Sequence, residues 1–75
     1  MIDIEIEKEK ARTYKKYTTY VFVKTTSYHY NGYIIDVTDK EIIFNDDKIP
    51  APFPIPFLDI TEPIVPSKRE EKKYE

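Results

Sequence analysis

The pattern of apolar and polar residues changes along the chain and separates an N-terminal segment from a β-rich region. Residues 2–7, IDIEIE, alternate strictly between isoleucine and an acid, which is the two-residue period of a half-buried strand. The next residues lose this period, and opposite charges stand three apart, a spacing at which side chains meet only on a helix: Glu5 and Lys8, Glu7 and Lys10, Glu9 and Arg12. The two patterns overlap, and of the two we expect a short strand that leads into a helical turn.

The central part of the chain predicts three strands. Residues 17–26 are almost all β-branched or aromatic, which is typical of a strand, and residues 25–27 are polar enough to form a turn. Residues 28–47, YHYNGYIIDVTDKEIIFNDD, predict two further strands joined by a turn at 38–41. Gly32 is the only glycine in the chain, and in a strand it marks a bend or a close backbone approach. The aliphatic residues after it mix both faces, as expected of a strongly curled strand.

A row of prolines follows the hairpin. Prolines occupy positions 50, 52, 54 and 56, and in an extended chain the backbone N–H groups of alternate residues point to the same edge. All four missing donors therefore fall on one edge, while the residues between them are expected to face the core: Ala51, Phe53, Ile55 and Phe57. We interpret this segment as an edge protected against aggregation rather than as a docking site. A last strand is predicted at 61–67, TEPIVPS.

Size and composition limit the chemistry that the chain can perform. A single domain of 75 residues needs reinforcement, either unusually good packing or oligomerisation. Cysteine is absent and His29 is the single histidine, so we predict no disulfide, no metal site, no cofactor and no catalytic triad. The abundance of Ile, Lys and Glu with no Gln is typical of a protein from a hot environment, although an AT-rich genome gives the same bias.

Charge and hydropathy bear on location and partners. The net charge is −2, and residues 17–66 hold three lysines against seven carboxylates, a net of −4. The chain therefore lacks the basic surplus of a non-specific nucleic-acid binder. No apolar run approaches a membrane span and the first residues do not resemble a signal peptide, so we expect a cytoplasmic protein.

Two stretches resemble the Sm-like proteins, and the bacterial Hfq RNA chaperones among them in particular. They are NGYIIDVTDKEIIFND at 31–46 and ITEPIVPSKR at 60–69. The resemblance implies an all-β fold: a small, strongly bent five-stranded SH3-like barrel at 17–67, with an N-terminal strand or helical extension at 1–16 and a charged tail at 68–75. It also implies subunits joined edge to edge in a ring, the fourth strand of one to the fifth of the next, with RNA bound on the ring faces.

The resemblance and the residue types together give candidate site residues. Three tyrosines beside a lysine could stack on bases, and further cations could touch phosphates, so the candidate RNA-binding residues are Lys24, Tyr28, Tyr30, Tyr33, Lys40, Lys68 and Arg69. Tyrosine is also a common half-buried strand residue, and a Lys-Arg pair is often a solvated tail. The candidate oligomer edge comprises Phe53, Ile55, Phe57, Ile64 and Val65.

The chain departs from the family where the uridine pocket would lie. The matching positions are Thr38, Lys40, Ile42, Phe57 and Leu58, which supply neither the stacking aromatic nor the family's basic pair. We therefore keep two hypotheses, both non-enzymatic. One is an oligomeric Sm-like RNA-binding protein, and the other is a protein-interaction or structural module on the same fold that binds no nucleic acid.

Overall fold

A computed structural model describes residues 2–68, which form one helix followed by an antiparallel sheet of five strands. The helix α1 is Ile4–Lys16, and the strands are β1 Val21–Lys24, β2 His29–Val37, β3 Glu41–Asp46, β4 Phe53–Pro56 and β5 Val65–Pro66. A short 3₁₀ turn, Phe57–Asp59, follows β4. The strand order is β4-β3-β2-β1-β5, so β4 and β5 are the two edges of the sheet. Among residues 2–68 no helix is both long enough and apolar enough to cross a membrane.

The N-terminal helix replaces the strand that the alternation predicts at residues 2–7, so that prediction was wrong. Asp3 is the N-cap: its carboxylate accepts hydrogen bonds from the N–H groups of Glu5 at 3.0 Å and Ile6 at 3.3 Å, which starts the helix at Ile4. The side chain of Ile6 is exposed, unlike an inward residue of a half-buried strand. The charge spacing was the better indicator, because all three predicted pairs form on the helix: Lys8–Glu5, Lys10–Glu7 and Arg12–Glu9.

The predicted hairpin is present as β2 and β3. Thr38 begins the turn, its N–H donating to the carbonyl oxygen of Glu41 at 2.8 Å. The pairing register shifts between Ile34 and Asp36, so that Ile34 and Val37, three residues apart, both pack on the core. In a regular strand these two side chains would point to opposite faces, and the bulge therefore accounts for the mixed spacing of the aliphatic residues in β2.

Gly32 allows β2 and β3 to approach closely. It lies opposite Asp46, and a Cβ atom added to it would stand 2.0 Å from the carbonyl oxygen of Asn45, far inside van der Waals contact. Of the two roles that the sequence leaves open for this glycine, the close backbone approach is observed. The constraint comes from backbone atoms, which cannot move aside as a flexible side chain could.

The core lies between α1 and one face of the sheet. Its buried apolar residues come from every element except β5 itself and are Ala11, Val21, Val23, Ile34, Ile42, Phe44, Ile55, Phe57, Ile60 and Ile64. The prolines at 50–56 are exposed, and of the four residues expected to face the core from this segment, Phe53 is half-buried while Ile55 and Phe57 are buried. The prediction was wrong for Ala51, which is exposed because it lies before the start of β4 at Phe53.

The outer edge of β4 offers hydrogen-bond acceptors and no donors. The N–H of Phe57 donates to the carbonyl oxygen of Lys40 at 2.9 Å, so in the alternating ladder Phe53 and Ile55 also turn their backbone groups toward β3. Pro54 and Pro56 consequently turn their carbonyl groups outward, and neither has an N–H. Within residues 2–68 nothing donates to these two carbonyls.

The outer edge of β5 is covered by α1. The N–H of Ser67 donates to the carbonyl oxygen of Tyr20, so the backbone groups of Ile64 and Pro66 point away from β1. The buried carboxylate of Glu7 accepts the Ile64 N–H at 2.7 Å, and the hydroxyl of Tyr14 lies 3.4 Å from the Ile64 carbonyl oxygen. Proline at 66 has no N–H to offer. The helix therefore occupies the backbone groups with which another strand would pair.

The close approach at Gly32 predicts that Gly32→Ala destabilises the fold by about 3 kcal/mol, in the upper part of the range for overpacking. Urea unfolding followed by circular dichroism measures the change. Ser27→Ala, an exposed position just before the same strand, is the control and is expected to change stability by less than about 0.5 kcal/mol. A Gly32→Ala variant as stable as the parent would show that β2 and β3 do not approach in this way.

The contact between α1 and β5 predicts that Glu7→Ala costs about 2–3 kcal/mol, because it leaves the buried N–H of Ile64 without an acceptor. The matched control is Glu9→Ala, which also removes an ion pair three residues apart but on the exposed side of the helix, and which should cost at most about 0.5 kcal/mol. Equal losses in the two variants, measured by urea unfolding, would contradict the contact.

Candidate binding groove

The structure brings together two of the three tyrosines predicted to stack on bases. The rings of Tyr28 and Tyr30 lie 6.0 Å apart, centroid to centroid. Tyr33 lies an odd number of residues from Tyr30 along β2, so its side chain points to the other face of the sheet. There its ring meets that of Tyr20 edge to face, with the centroids 5.3 Å apart. A platform of all three tyrosines does not form.

The predicted cations do not gather around these tyrosines. The amino group of Lys24 pairs with the carboxylate of Glu62 at 2.8 Å, and this pair holds the pKa of Glu62 below its usual value, mainly through the hydrogen bond. Lys40 lies in the β2–β3 turn, the full length of β2 away from Tyr28. Lys68 lines a separate groove, and Arg69 lies outside the described residues.

The residues predicted for an oligomer edge belong mostly to the core of a single subunit. The side chains of Ile55, Phe57 and Ile64 are buried, and that of Phe53 is half-buried. Val65 alone has a largely exposed side chain. An oligomer edge built from these side chains stays a prediction, and most of their apolar surface is already buried inside a single subunit.

A groove of about 390 Å³ lies between the β1–β2 turn and β4. Its residues come from the turn, from the start of β2, from β4 and from the 3₁₀ turn: Thr25, Thr26, Ser27, Tyr28, Tyr30, Phe53, Pro54, Ile55, Pro56 and Asp59. We call it the β4 groove. Of these residues, the sequence predicted Tyr28 and Tyr30 to bind RNA, and Phe53 and Ile55 to belong to an oligomer edge.

The β1–β2 turn holds Tyr28 in place at the rim of this groove. The Thr25 N–H donates to the Tyr28 carbonyl oxygen at 2.8 Å, and the Tyr28 N–H donates back to the Thr25 hydroxyl at 3.1 Å. The turn is also joined to the segment after β4, because the Thr26 N–H donates to the Asp59 carbonyl oxygen at 3.1 Å and Thr25 bridges Ile60. Both walls of the groove are thus fixed by backbone hydrogen bonds.

Three aromatic side chains line the groove, and we call them the aromatic corner: Tyr28, Tyr30 and Phe53. The rings of Tyr30 and Phe53 lie 5.0 Å apart, and Phe53 contacts the fully buried ring of Phe44 at 6.3 Å. Tyr28 extends this series into solvent with 64% of its surface exposed. The corner is therefore anchored in the core at one end and open at the other, which suits a binding surface.

The electrostatic surroundings of the groove are negative. The pKa of Tyr30 is raised above its ordinary value, first by burial and then by Tyr28, Asp46 and Asp59. Asp59 lines the groove, and no lysine or arginine does so among the described residues.

A second, larger groove of about 640 Å³ lies where β2 begins and β3 ends, and it shares Tyr30 with the β4 groove. It is lined by Tyr20, His29, Tyr30, Asn31, Asp46, Asp47, Lys48, Ile49 and Lys68. Its carboxylates already serve the fold. Asp46 accepts from the N–H groups of Asn31 at 3.0 Å and Lys48 at 2.7 Å, and Asp47 accepts from the Tyr20 hydroxyl at 2.6 Å. We therefore regard the smaller β4 groove, whose polar groups are less engaged, as the better candidate site.

Comparison of the chain with protein-family models, with curated proteins and with solved structures found no match.

Proposed function

We propose that this protein is a non-enzymatic protein-interaction module that acts as a monomer and binds an extended segment of a partner protein in the β4 groove. The observation that carries the proposal is the position of the aromatic corner, fixed by the β1–β2 turn, beside a sheet edge whose exposed backbone groups are all acceptors. An extended polypeptide has both the apolar side chains and the N–H donors that such a groove can take.

On the fold, we propose the strongly bent Sm-like, SH3-type arrangement that the sequence resembles. The meander of β1 to β4, the bulge in β2 and the close approach at Gly32 all support strong curvature. The bridge between Thr25 and Ile60 supports it further, since it brings the chain that leaves β4 back to β1.

The edges of the sheet support a monomer rather than the ring that the resemblance implies. A ring of that type pairs the fourth strand of one subunit with the fifth of its neighbour. On β4 the outward residues are prolines, and on β5 the outward N–H of Ile64 is already bonded to Glu7. Without free donors on either strand, a continuous ladder between subunits cannot form unless α1 moves away.

Charge favours a protein partner over RNA. The exposed ring of Tyr28 could stack on a base, which is the observation that favours RNA. A phosphate backbone would, however, meet a region with a net charge of −4, and Lys24, the candidate cation closest to Tyr28 in the sequence, is paired with Glu62. We therefore keep RNA as the alternative outcome of the binding experiment.

Light scattering during size exclusion, at low and high protein concentration and at low and high salt, is expected to give the mass of one chain, 9.0 kDa. The reason is that neither edge strand offers a free N–H for pairing with a neighbour. A stable mass of about five to seven chains would contradict this expectation and favour the ring.

A phage-displayed library of random peptides, selected on the immobilised protein, is expected to yield peptides that lose roughly tenfold in affinity on Tyr28→Ala, since an aromatic anchor at a groove is a typical hot spot. Tyr17→Ala is the matched control, because Tyr17 is as exposed as Tyr28 but lies at the end of α1. It should leave the affinity unchanged.

Two results, one from this selection and one from a separate titration with single-stranded RNA, would reject the proposed function. One is the absence of any selected peptide that is sensitive to Tyr28→Ala. The other is tight binding of single-stranded RNA that falls steeply with salt and is lost in the same variant, which would establish the RNA-binding alternative instead.

A further inference from the structure

This inference rests on the proposed function and concerns the chemistry of the partner. We propose that the segment bound in the β4 groove presents an arginine side chain, whose guanidinium lies over the ring of Tyr28 and donates to the carboxylate of Asp59 and to the outward carbonyl oxygens of β4.

The β4 wall of the groove, together with Asp59, offers acceptors and no donors. Pro54 and Pro56 turn carbonyl oxygens outward with no N–H beside them, and the Asp59 carboxylate has no hydrogen bond or ion pair within residues 2–68. The hydroxyl of Thr25 is already bonded within the turn. A ligand that fits the β4 wall and Asp59 must therefore bring donors, whereas the hydroxyls of the opposite wall, those of Thr26, Ser27, Tyr28 and Tyr30, can either donate or accept.

Main-chain pairing alone meets this requirement poorly. A strand laid along β4 would direct both N–H and carbonyl groups at the edge, and its carbonyls would face proline rings that donate nothing. A guanidinium is different, because it carries five N–H donors in a fixed plane and no acceptor. Arginine therefore matches an acceptor-only edge better than a backbone strand does, and better than lysine, whose ammonium has three donors.

Within residues 2–68, the exposed ring of Tyr28 has no cation over it. Tyr17, the other highly exposed tyrosine among residues 2–68, already has a cation of its own chain, because the amino group of Lys16 lies 5.5 Å from the ring centroid. In the described part of the chain no cation lies over Tyr28, and none lines the groove. A cation within about 6 Å of such a ring is attracted to it, so an incoming guanidinium would supply the charge that the chain itself supplies at Tyr17.

The charges around the groove also favour a cationic ligand. Asp46 and Asp59 both act on the hydroxyl of Tyr30, and Lys24, close in sequence to the turn that forms one wall, is neutralised by Glu62. The field at the groove is thus set by carboxylates. It attracts a cationic segment and repels an acidic one.

The experiment uses the ¹⁵N-labelled full chain and two acetylated, amidated peptides. In the first peptide arginine alternates with serine, and in the second each arginine is replaced by citrulline, which keeps the shape but has no charge. Addition of the arginine peptide at low salt is expected to shift the amide signals of residues 25–28 and 53–59, and the citrulline peptide should bind roughly tenfold more weakly.

Three variants locate the contact. Tyr28→Ala and Asp59→Asn should each weaken the arginine peptide by about threefold to tenfold, since each removes one attraction for the guanidinium. Both side chains are exposed, and amide spectra of the free variants establish that the fold is kept. Tyr17→Ala is the control and should leave the affinity unchanged.

Each contrary result has a distinct meaning. Equal binding of the two peptides would overturn the requirement for charge. Shifts spread over the acidic residues at 46–47, unchanged in Tyr28→Ala, would overturn the location. If uncharged peptides selected from the library bind in the groove while the arginine peptide does not, this inference fails and the proposed function stands. Failure of every peptide at the groove rejects both.

Discussion

The hydrogen bond from the Ile64 N–H to the buried carboxylate of Glu7 connects the two ends of the chain, and much of the structure depends on it. It spans 57 residues and fixes α1 across the edge of β5, where the helix also delivers Ala11 to the core. Lys10 contacts both oxygens of the same carboxylate, so the buried charge is paired as well as hydrogen-bonded. In a chain this small, which has no cysteine and therefore no disulfide, such a contact between the first element and the residue before the last strand takes over part of the stabilisation that a larger core would provide.

The parts of the fold that the sequence predicted are those set by local geometry. The hairpin of β2 and β3, the close approach at Gly32 as one of two roles left open, and the outward positions of Pro54 and Pro56 follow from backbone properties of single residues. Pro50 and Pro52, predicted on the same edge, lie before β4 begins. Residues 2–7 were wrongly predicted as a strand, because their alternation has the period of a strand while the charge spacing that begins at Glu5 has the period of a helix. The contact that decides between them lies at Ile64, which local patterning cannot reveal. Ala51 was misplaced because the pattern of alternation does not indicate where β4 begins.

The candidate site was predicted only in part, for reasons of the same kind. Tyr28 and Tyr30 were identified, but Tyr33 was grouped with them although strand alternation sends it to the opposite face. Lys24 was predicted to contact RNA, but in the fold its charge is paired with Glu62. The sequence did not indicate this pair, because Glu62 lies 38 residues further along the chain. The third aromatic residue of the corner, Phe53, comes from a strand that reaches Tyr30 only after the sheet is assembled.

The prolines of β4 connect the proposed monomer with the ligand chemistry proposed for the groove. A proline on the outward positions removes the donor that a neighbouring strand would need, which prevents the sheet from extending. Proline keeps its carbonyl oxygen, so this edge of β4 still presents hydrogen-bond acceptors. A protein that blocked this edge with charged side chains would not acquire that property. The feature on which the proposed monomer rests is therefore also the one that favours the donor-rich ligand proposed for the groove.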